Sequence, residues 1–94
     1  MMKEFYVYVL YSEKFDRSYT GMTSNLVRRV KEHNQKMNKS TRTFVPWKLI
    51  YCEKFQNRLD ARDREKYLKS GSGREFLRII LNSYIKKGSR SSTG

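Results

Sequence analysis

An arginine and a histidine occur at helical spacing in the second quarter of the chain. Arg29 and His33 are four residues apart, so they share one face of a predicted helix. The apolar residues Leu26 and Val30 lie beside that face, so we expect it to border the rest of the domain. A guanidinium there can hold a phosphate in a bidentate fork. The alternatives are ordinary solvated charge for the arginine and a half-buried structural role for the histidine.

A carboxylate occurs on the inward-leaning face of a later predicted helix. Glu65 shares that face with Ala61 and Leu68. A carboxylate in such a position is costly unless it is paired with a cation or binds one. An ion pair with Lys69, four residues further on, is one interpretation, and a metal-binding or acid role is the other.

Three tyrosines lie on two neighbouring predicted strands. Tyr6 and Tyr8 are two residues apart and point to the same strand face, and Tyr19 begins the next strand. Strand tyrosines usually serve packing, so each has a structural alternative. Gly21 weakens its strand, which indicates that another group approaches the backbone closely there. With one histidine and no nucleophile-elbow motif, the chain has no Ser/His/Asp triad.

The elements that must position these residues follow from periodicity, caps and breakers. Asn25 or Ser24 caps the first helix, Asn57 caps the second, and Ser70-Gly-Ser-Gly73 separates the second from the third. The predicted strands cover residues 5–11, 19–22 and 47–55, and the predicted helices cover 25–37, 57–69 and 74–87. The order β-β-α-β-α-α predicts a small α/β (α+β) domain with a three-stranded antiparallel sheet flanked by helices.

The length of 94 residues fits one domain, which we expect to span residues 1–87. Residues 88–94 form a basic, Gly/Ser-rich stretch without apolar residues and are predicted to be a disordered tail. A single cysteine and no signal peptide favour a cytoplasmic protein. No apolar run is long enough to span a membrane. One cysteine and one histidine do not make up the usual zinc ligand sets.

The charge is strongly basic, with 21 Lys and Arg against 9 Asp and Glu, for a net charge of +12. Such a charge predicts a polyanionic partner, although a solubility surface or a ribosome-like structural role is the alternative. Residues 17–48 carry the densest excess, with eight basic residues and one acidic residue. The candidate nucleic-acid-binding residues are Arg28, Lys31, Lys36, Lys39, Arg42, Lys48, Lys69 and Arg74.

Two short strand motifs resemble those of the GIY-YIG nuclease family. The first corresponds to Tyr6-Val7-Tyr8 and the second to Tyr19-Thr20-Gly21, on adjacent strands joined by a hairpin. The second tyrosine of the first motif and the tyrosine that opens the second are 11 residues apart, which matches the family spacing. The departures are a Tyr for the family's Gly, and a Val and a Thr for its two Ile.

Three later residues strengthen the resemblance. Arg29 follows Tyr19 by ten residues, His33 follows four residues later, and Glu65 lies on a later helix, where the family binds its metal. Pro46-Trp47 and the stretch 69–74 are similar to the small stand-alone, single-domain branch of the family (UPF0213-like). The resemblance covers about residues 4–82.

The resemblance implies metal-assisted phosphodiester hydrolysis that leaves a 5′-phosphate and a 3′-hydroxyl. Glu65 would bind Mg²⁺ or Mn²⁺, and Arg29 would stabilise charge on the phosphoryl oxygens. Tyr8 is the first candidate to accept a proton from the attacking water and Tyr19 the second. His33 would assist proton transfer or bind a phosphate.

The implied function is a DNA endonuclease, structure-selective or weakly sequence-selective, in DNA repair, recombination or processing. The alternative is a nucleic-acid-binding module that keeps the fold without catalysis. DNA is the expected partner, with RNA as the other nucleic acid to test. A protein partner that supplies specificity is also expected, and the chain would act as a monomer or a weak homodimer.

Overall fold

A computed structural model describes the backbone of residues 3–93 and the side chains of residues 3–86. The elements follow the predicted order and form an α+β fold with a three-stranded antiparallel sheet. The strands are β1 (Phe5–Ser12), β2 (Arg17–Thr23) and β3 (Lys48–Phe55), the helices are α1 (Leu26–Asn34), α2 (Arg58–Lys69) and α3 (Gly71–Thr93), and a 3₁₀ turn covers Arg42–Phe44. Among the described residues, no helix combines the length and apolar character that a bilayer crossing needs.

The first strand is the centre of the sheet, whose strand order is β2-β1-β3. Its side chains are apolar on both faces, as a central strand covered on both sides requires. Val7, Val9 and Leu10 are fully buried. A register shift between Val9 and Leu10 interrupts the pairing of β1 with β3, whereas the pairing with β2 is continuous.

The two faces of the sheet support two separate cores, because successive strand residues point to opposite sides. On one face, Val7 packs with Ala61 and Leu68 of α2. On the other face, Tyr8 and Leu10 pack with Trp47 and with residues of α1. Tyr8 and α1 therefore share one face of the sheet, and α2 and α3 cover the other.

A bidentate ion pair fastens α2 to the edge strand β3. Arg64 Nε lies 2.9 Å from Glu53 Oε1, and Arg64 Nη2 donates to Glu53 Oε2 at 3.1 Å. The guanidinium also lies 5.1 Å from the ring centroid of Tyr67 and 5.0 Å from that of Phe76. These contacts fix the position of α2, the helix that carries Glu65.

The predicted caps of α1 and α2 are confirmed, but the predicted end of α1 is wrong. Asn25 Oδ1 accepts from the Arg28 amide, and Asn57 Oδ1 accepts from the Asp60 amide. The first helix ends at Asn34 rather than at residue 37. Lys36 has a left-handed backbone with φ of 64°, which ends the helix.

The third helix is longer than predicted at both ends. Ser70 is the single residue between α2 and α3. Its hydroxyl accepts a hydrogen bond from the Gly73 amide at 3.3 Å and so caps the start of α3. A Cβ at Gly73 would lie 1.9 Å from the Tyr67 carbonyl oxygen, so glycine allows the tight junction.

At its other end, α3 continues to Thr93, whereas the sequence predicts an irregular tail for residues 88–94. A glycine costs only about 1 kcal/mol inside a helix, so Gly88 is a weak stop signal. Gly94 lies outside the described residues. The division into a domain of residues 1–87 and a disordered tail of residues 88–94 stays a prediction.

Replacing Leu68 by alanine tests whether α2 is held by the core beneath it. Leu68 is fully buried, so Leu68→Ala should cost about 2–5 kcal/mol in the free energy of unfolding. Leu59→Ala on the same helix is the matched control, because Leu59 is 76% exposed. Chemical denaturation measures both variants, and equal losses would contradict the packing described for α2.

Candidate active site

A buried hydrogen-bonded chain of three side chains lies at the centre of the α1 face of the sheet. Tyr8 is 1% exposed, and its hydroxyl lies 2.9 Å from His33 Nε2. His33 Nδ1 lies 2.8 Å from Thr41 Oγ1, and both residues are buried. Because the buried imidazole is hydrogen-bonded at both ring nitrogens, its orientation against Tyr8 is determined by its neighbours.

A glycine on the neighbouring strand makes room for the Tyr8 ring. Gly21 is paired with Tyr8 across β2 and β1, and a Cβ at Gly21 would lie 2.5 Å from the Tyr8 hydroxyl oxygen. The close approach that the sequence indicates at Gly21 is therefore made by Tyr8. Tyr19, on the same strand, packs with its ring centroid 4.9 Å from that of His33 and 6.3 Å from that of Tyr8.

The loop that supplies Thr41 is held in place by Trp47. The Trp47 indole Nε1 donates to the Thr41 carbonyl oxygen at 2.9 Å. The Asn34 side chain accepts from the Trp47 amide at 2.6 Å and donates to its carbonyl oxygen at 3.0 Å. A polar loop is thus anchored at both ends, which keeps the Thr41 hydroxyl against His33.

The Arg29 guanidinium completes the cluster beside the Tyr8 hydroxyl. Burial raises the pKa of Tyr8 to about 12, although the nearby Arg29 opposes this rise. Burial and the positive charge of Arg29 both lower the pKa of His33. Arg29 also forms an ion pair with Glu32 at 3.0 Å. At neutral pH, Tyr8 therefore carries its proton and His33 is uncharged.

Glu65 lies on α2 with its side chain 19% exposed and forms an ion pair with Lys69 at 3.0 Å. The same face of the helix carries the fully buried Ala61 and Leu68, as the sequence predicts. The Glu65 carboxylate makes a small contribution to the raised pKa of Tyr8, so its charge is felt at the tyrosine cluster. The ion-pair interpretation of Glu65 is realised, and its role as a metal ligand stays a prediction.

Comparison with known proteins agrees with the two motifs and the later residues. The model of the GIY-YIG catalytic domain matches residues 4–77, which include all five predicted catalytic positions. The chain belongs to the GIY-YIG family.

Relatives within the GIY-YIG family are small proteins of similar length. A UPF0213 protein of Clostridium perfringens is 41% identical over 83 residues, covering 87% of this chain and 88% of the relative. A UPF0213 protein of Natronomonas pharaonis is 38% identical over 83 residues, covering 87% and 96%. The solution NMR structure of a UPF0213 protein from Bacillus halodurans is 30% identical, covers 83% of each chain and superposes with a TM-score of 0.51.

The basic residues of this GIY-YIG chain fall into three regions rather than one surface. One region follows α1 and its loop, with exposed side chains at Arg28, Lys31, Lys36, Lys39 and Arg42. Lys48 lies apart at the start of β3, where it pairs with Glu13 at 3.4 Å. Lys69 and Arg74 line a groove beside β2, on the α2 and α3 side.

That groove has a volume of about 570 Å³ and lies between β2, α2 and α3. We call it the basic groove; its lining comprises Ser18, Tyr19, Thr20, Leu68, Lys69, Arg74, Leu77, Arg78 and Leu81. The groove therefore joins the second GIY-YIG motif to the C-terminal end of the helix that carries Glu65. Apolar side chains and three cations line it together.

Three residues of this environment were not predicted from the sequence. Thr41 lies in a polar loop with no periodicity, so nothing in the pattern points to its contact with His33. Glu32 pairs with both Arg28 and Arg29, and i,i+3 and i,i+4 spacing is the signal that would have identified it. Arg78 lines the basic groove one helical turn after Arg74, and the same spacing rule could have found it.

Replacing Gly21 by alanine tests the fit of Tyr8 against β2. The added Cβ would lie 2.5 Å from the Tyr8 hydroxyl oxygen, so Gly21→Ala should lower the melting temperature. Gly71→Ala is the matched control, because a Cβ at Gly71 meets nothing within 4 Å. Calorimetry compares the two, and a Gly21→Ala protein as stable as the control would rule out the close packing.

Acidification should destabilise the fold through His33. The folded pKa of His33 lies below the unfolded value of about 6.5, so the unfolded state binds the extra proton first. The contribution of His33 to stability is therefore present above about pH 6.5 and is lost as the pH falls through the folded pKa.

Melting temperatures of the wild type and of His33→Gln between pH 7.5 and about pH 5 measure this contribution. The chain has one histidine, so the wild type should show the steeper decline and the variant the shallower one. The imidazole proton resonances of the wild type should titrate below pH 6.5. Identical pH slopes together with an ordinary titration would contradict the burial of His33.

Proposed function

We propose that this GIY-YIG protein is a divalent-metal-dependent endonuclease that hydrolyses phosphodiester bonds of DNA. The observation that carries the proposal is the cluster in which His33 and Arg29 meet the hydroxyl of Tyr8 while the Tyr19 ring packs against His33. Those residue types supply a proton acceptor, a proton relay and a fixed positive charge, which are the groups that phosphodiester hydrolysis requires. The net charge of +12 supports a nucleic-acid substrate.

The proton acceptor in this proposal is Tyr19 rather than Tyr8, which reverses the preference drawn from the sequence. Tyr8 is 1% exposed and has a pKa raised to about 12, so water has little access to it and it holds its proton firmly. Tyr19 is partly exposed, and its hydroxyl forms no hydrogen bond with another described residue. Tyr8 then acts as a positioning residue that orients His33 and Arg29.

Arg29 is the group proposed to stabilise the negative charge that develops on the phosphoryl oxygens. The Tyr8 hydroxyl and the Glu32 carboxylate contact its guanidinium and raise its pKa, against the effect of burial, so it stays charged. A guanidinium that is already oriented costs no reorganisation when the substrate reacts. Charge stabilisation of this kind is the largest single contribution in many hydrolytic enzymes.

Glu65 is the residue proposed to hold the metal ion. Its carboxylate is a hard oxygen ligand and is partly exposed, which suits Mg²⁺ or Mn²⁺. Among the described side chains, no group of three or more His, Cys, Asp or Glu residues could hold a metal ion. Water and the substrate phosphate would therefore complete the coordination shell, and the bound ion would act as a Lewis acid toward the phosphoryl group.

Binding of the substrate is proposed to use two sets of cations, those of α1 with its loop and those of the basic groove. The exposed basic residues of α1 and its loop would hold one part of the nucleic-acid backbone, and the basic groove would hold another. Contacts with phosphates do not read sequence, so this arrangement supports a structure-selective or weakly sequence-selective nuclease. Roles in DNA repair, recombination or processing, and a protein partner that adds specificity, belong to the same proposal.

The Glu65–Lys69 ion pair favours a second candidate function. A carboxylate that is neutralised by a neighbouring lysine is an ordinary helix pair and does not require a metal. On that interpretation the protein binds nucleic acid through the same cations and does not cut it. The two functions differ in one measurable property, which is metal-dependent turnover.

Replacing Glu65 by glutamine separates the two functions. Glu65→Gln should reduce cleavage of labelled DNA in Mg²⁺ or Mn²⁺ by about 100-fold or more, because the metal ligand is lost, while DNA binding stays. Glu4→Gln is the control for loss of an ion-paired carboxylate, since Glu4 pairs with Lys54 at 3.5 Å and neither residue lines the basic groove.

The substrates should include duplex, single-stranded, flap and branched DNA, together with the matching RNA. Cleavage that is unchanged in Glu65→Gln would remove the metal-ligand assignment. Binding with a steep salt dependence but no cleavage by the wild type would support the non-catalytic function.

A further inference from the structure

A row of aromatic rings connects the tip of the β1–β2 hairpin with the tyrosine cluster. Phe15 lies at the tip and is 41% exposed, and its ring centroid is 5.4 Å from that of Phe44 in an edge-to-face contact. Phe44 is 6.4 Å from Trp47, and Trp47 is 6.4 Å from Tyr19. An exposed ring is therefore joined through packed rings to the proposed proton acceptor.

Positive charges surround the exposed end of this row. The Arg17 guanidinium lies 4.5 Å from the centroid of the Phe44 ring, and Lys14 Nζ lies 5.6 Å from that of Phe15. Arg42 is exposed in the same 3₁₀ turn as Phe44. We call these five residues the hairpin platform: Lys14, Phe15, Arg17, Arg42 and Phe44.

The two carboxylates of the hairpin tip have other partners and form no ion pair with the platform cations. Glu13 pairs with Lys48 at 3.4 Å and accepts from the Tyr84 hydroxyl at 3.1 Å. Asp16 accepts from the Tyr11 hydroxyl at 2.7 Å. Within the described side chains, Lys14, Arg17 and Arg42 form no ion pair. The platform thus combines exposed aromatic surface with three cations that form no ion pair among the described side chains.

The conformation of the hairpin tip is well defined. Asp16 has a left-handed backbone with φ of 51°, which a short polar residue tolerates and which turns the chain. The hydrogen bond from Tyr11 fixes the Asp16 carboxylate and with it the turn. Because the turn is held in this way, little conformational entropy of the hairpin tip would be lost when a ligand binds Phe15.

We infer that the hairpin platform stacks an unpaired nucleobase of the substrate while its cations hold the flanking phosphates. Every base has a π-face that an exposed aromatic ring can stack on, and a cationic surround suits the phosphates on either side. Bases inside a duplex are already stacked on their neighbours, so the platform selects strands with unpaired bases. The inference rests on the proposed function in that it names the substrate class of that nuclease.

A protein partner is the competing occupant, and the charge argues against it. Exposed aromatic residues do occur in protein interfaces, but there the charged residues are depleted from the centre. Here three of the five platform residues are cations without an acid counterpart among the described side chains. This composition favours a polyanionic ligand that also carries aromatic faces, which is single-stranded nucleic acid.

The test measures stacking in the absence of any divalent cation, so that turnover does not enter. The probes are a single-stranded DNA oligonucleotide containing 2-aminopurine and a blunt duplex of the same sequence. Phe15→Leu keeps apolar volume but removes the ring, and Phe15→Trp keeps a stacking surface. Leu59→Ala is the control for loss of an exposed apolar side chain, since Leu59 is 76% exposed.

We expect Phe15→Leu to weaken single-strand binding by about 5- to 100-fold, which corresponds to the loss of one stacked base. The 2-aminopurine quenching seen with the wild type should disappear. Phe15→Trp should restore both signals, and Leu59→Ala should behave as the wild type. Duplex affinity should stay the same in all four proteins, because phosphate contacts alone provide it.

Three results would overturn the inference: unchanged single-strand binding by Phe15→Leu, an equal loss for duplex and single strand, or no 2-aminopurine quenching by the wild type. The last result would show that Phe15 stacks no base. Failure of the proposed function is separate, because it appears as absent cleavage in Mg²⁺ or Mn²⁺. A protein that cuts none of the substrates but quenches 2-aminopurine through Phe15 would support the hairpin platform and contradict the nuclease proposal.

Discussion

The hydroxyl of Tyr8 is the group on which the rest of the candidate site depends. It lies on the central strand in a buried position, and a buried hydroxyl without a hydrogen bond costs about 1–3 kcal/mol. His33 satisfies it, which fixes the position of α1 relative to the sheet. His33 in turn requires a partner at its second ring nitrogen, and Thr41 supplies one from a loop that Trp47 anchors. One polar group in the core thus links a strand, a helix and a loop.

The two faces of the sheet carry different groups of side chains. The α1 face carries Tyr8, His33 and Arg29, the opposite face carries the core beneath α2, and the basic groove lies at the β2 edge, where it reaches Tyr19. All six glutamates form ion pairs within the protein, each with a Lys or Arg within 3.5 Å. The acidic side chains therefore compensate local cations, and the remaining positive charge is left for an external polyanion.

Much of the fold could be predicted because its signals are local. The apolar faces of β1 identify a central strand, and Asn25 and Asn57 identify the helix starts, since a cap bonds to an amide within three residues. The end of α1 and the start of α3 do not follow from local signals. The left-handed residue Lys36 and the one-residue junction at Ser70 depend on how neighbouring elements pack, which periodicity does not contain.

The candidate site was predictable as a set of residues but not as an arrangement. The spacing of Tyr8, Tyr19, Arg29, His33 and Glu65 identifies the family, because the family preserves order and distance along the chain. It does not show that Tyr8 is the more buried tyrosine, since burial is decided by what packs above the strand. Nor does it show that Glu65 pairs with Lys69, because a carboxylate at that helical position can pair with the lysine or bind a metal ion.

The sequence by itself determined the element order, the central strand, the family and the excess of positive charge. Each of these is written in residue type and in short-range spacing, so no contact between distant segments is needed to infer it. Only the tertiary structure decided which hydroxyl is shielded, which loop supplies Thr41 and where an aromatic surface is left open beside cations. These properties arise where segments far apart in the chain meet, and the physical reason is that burial and pKa depend on all the neighbours in space.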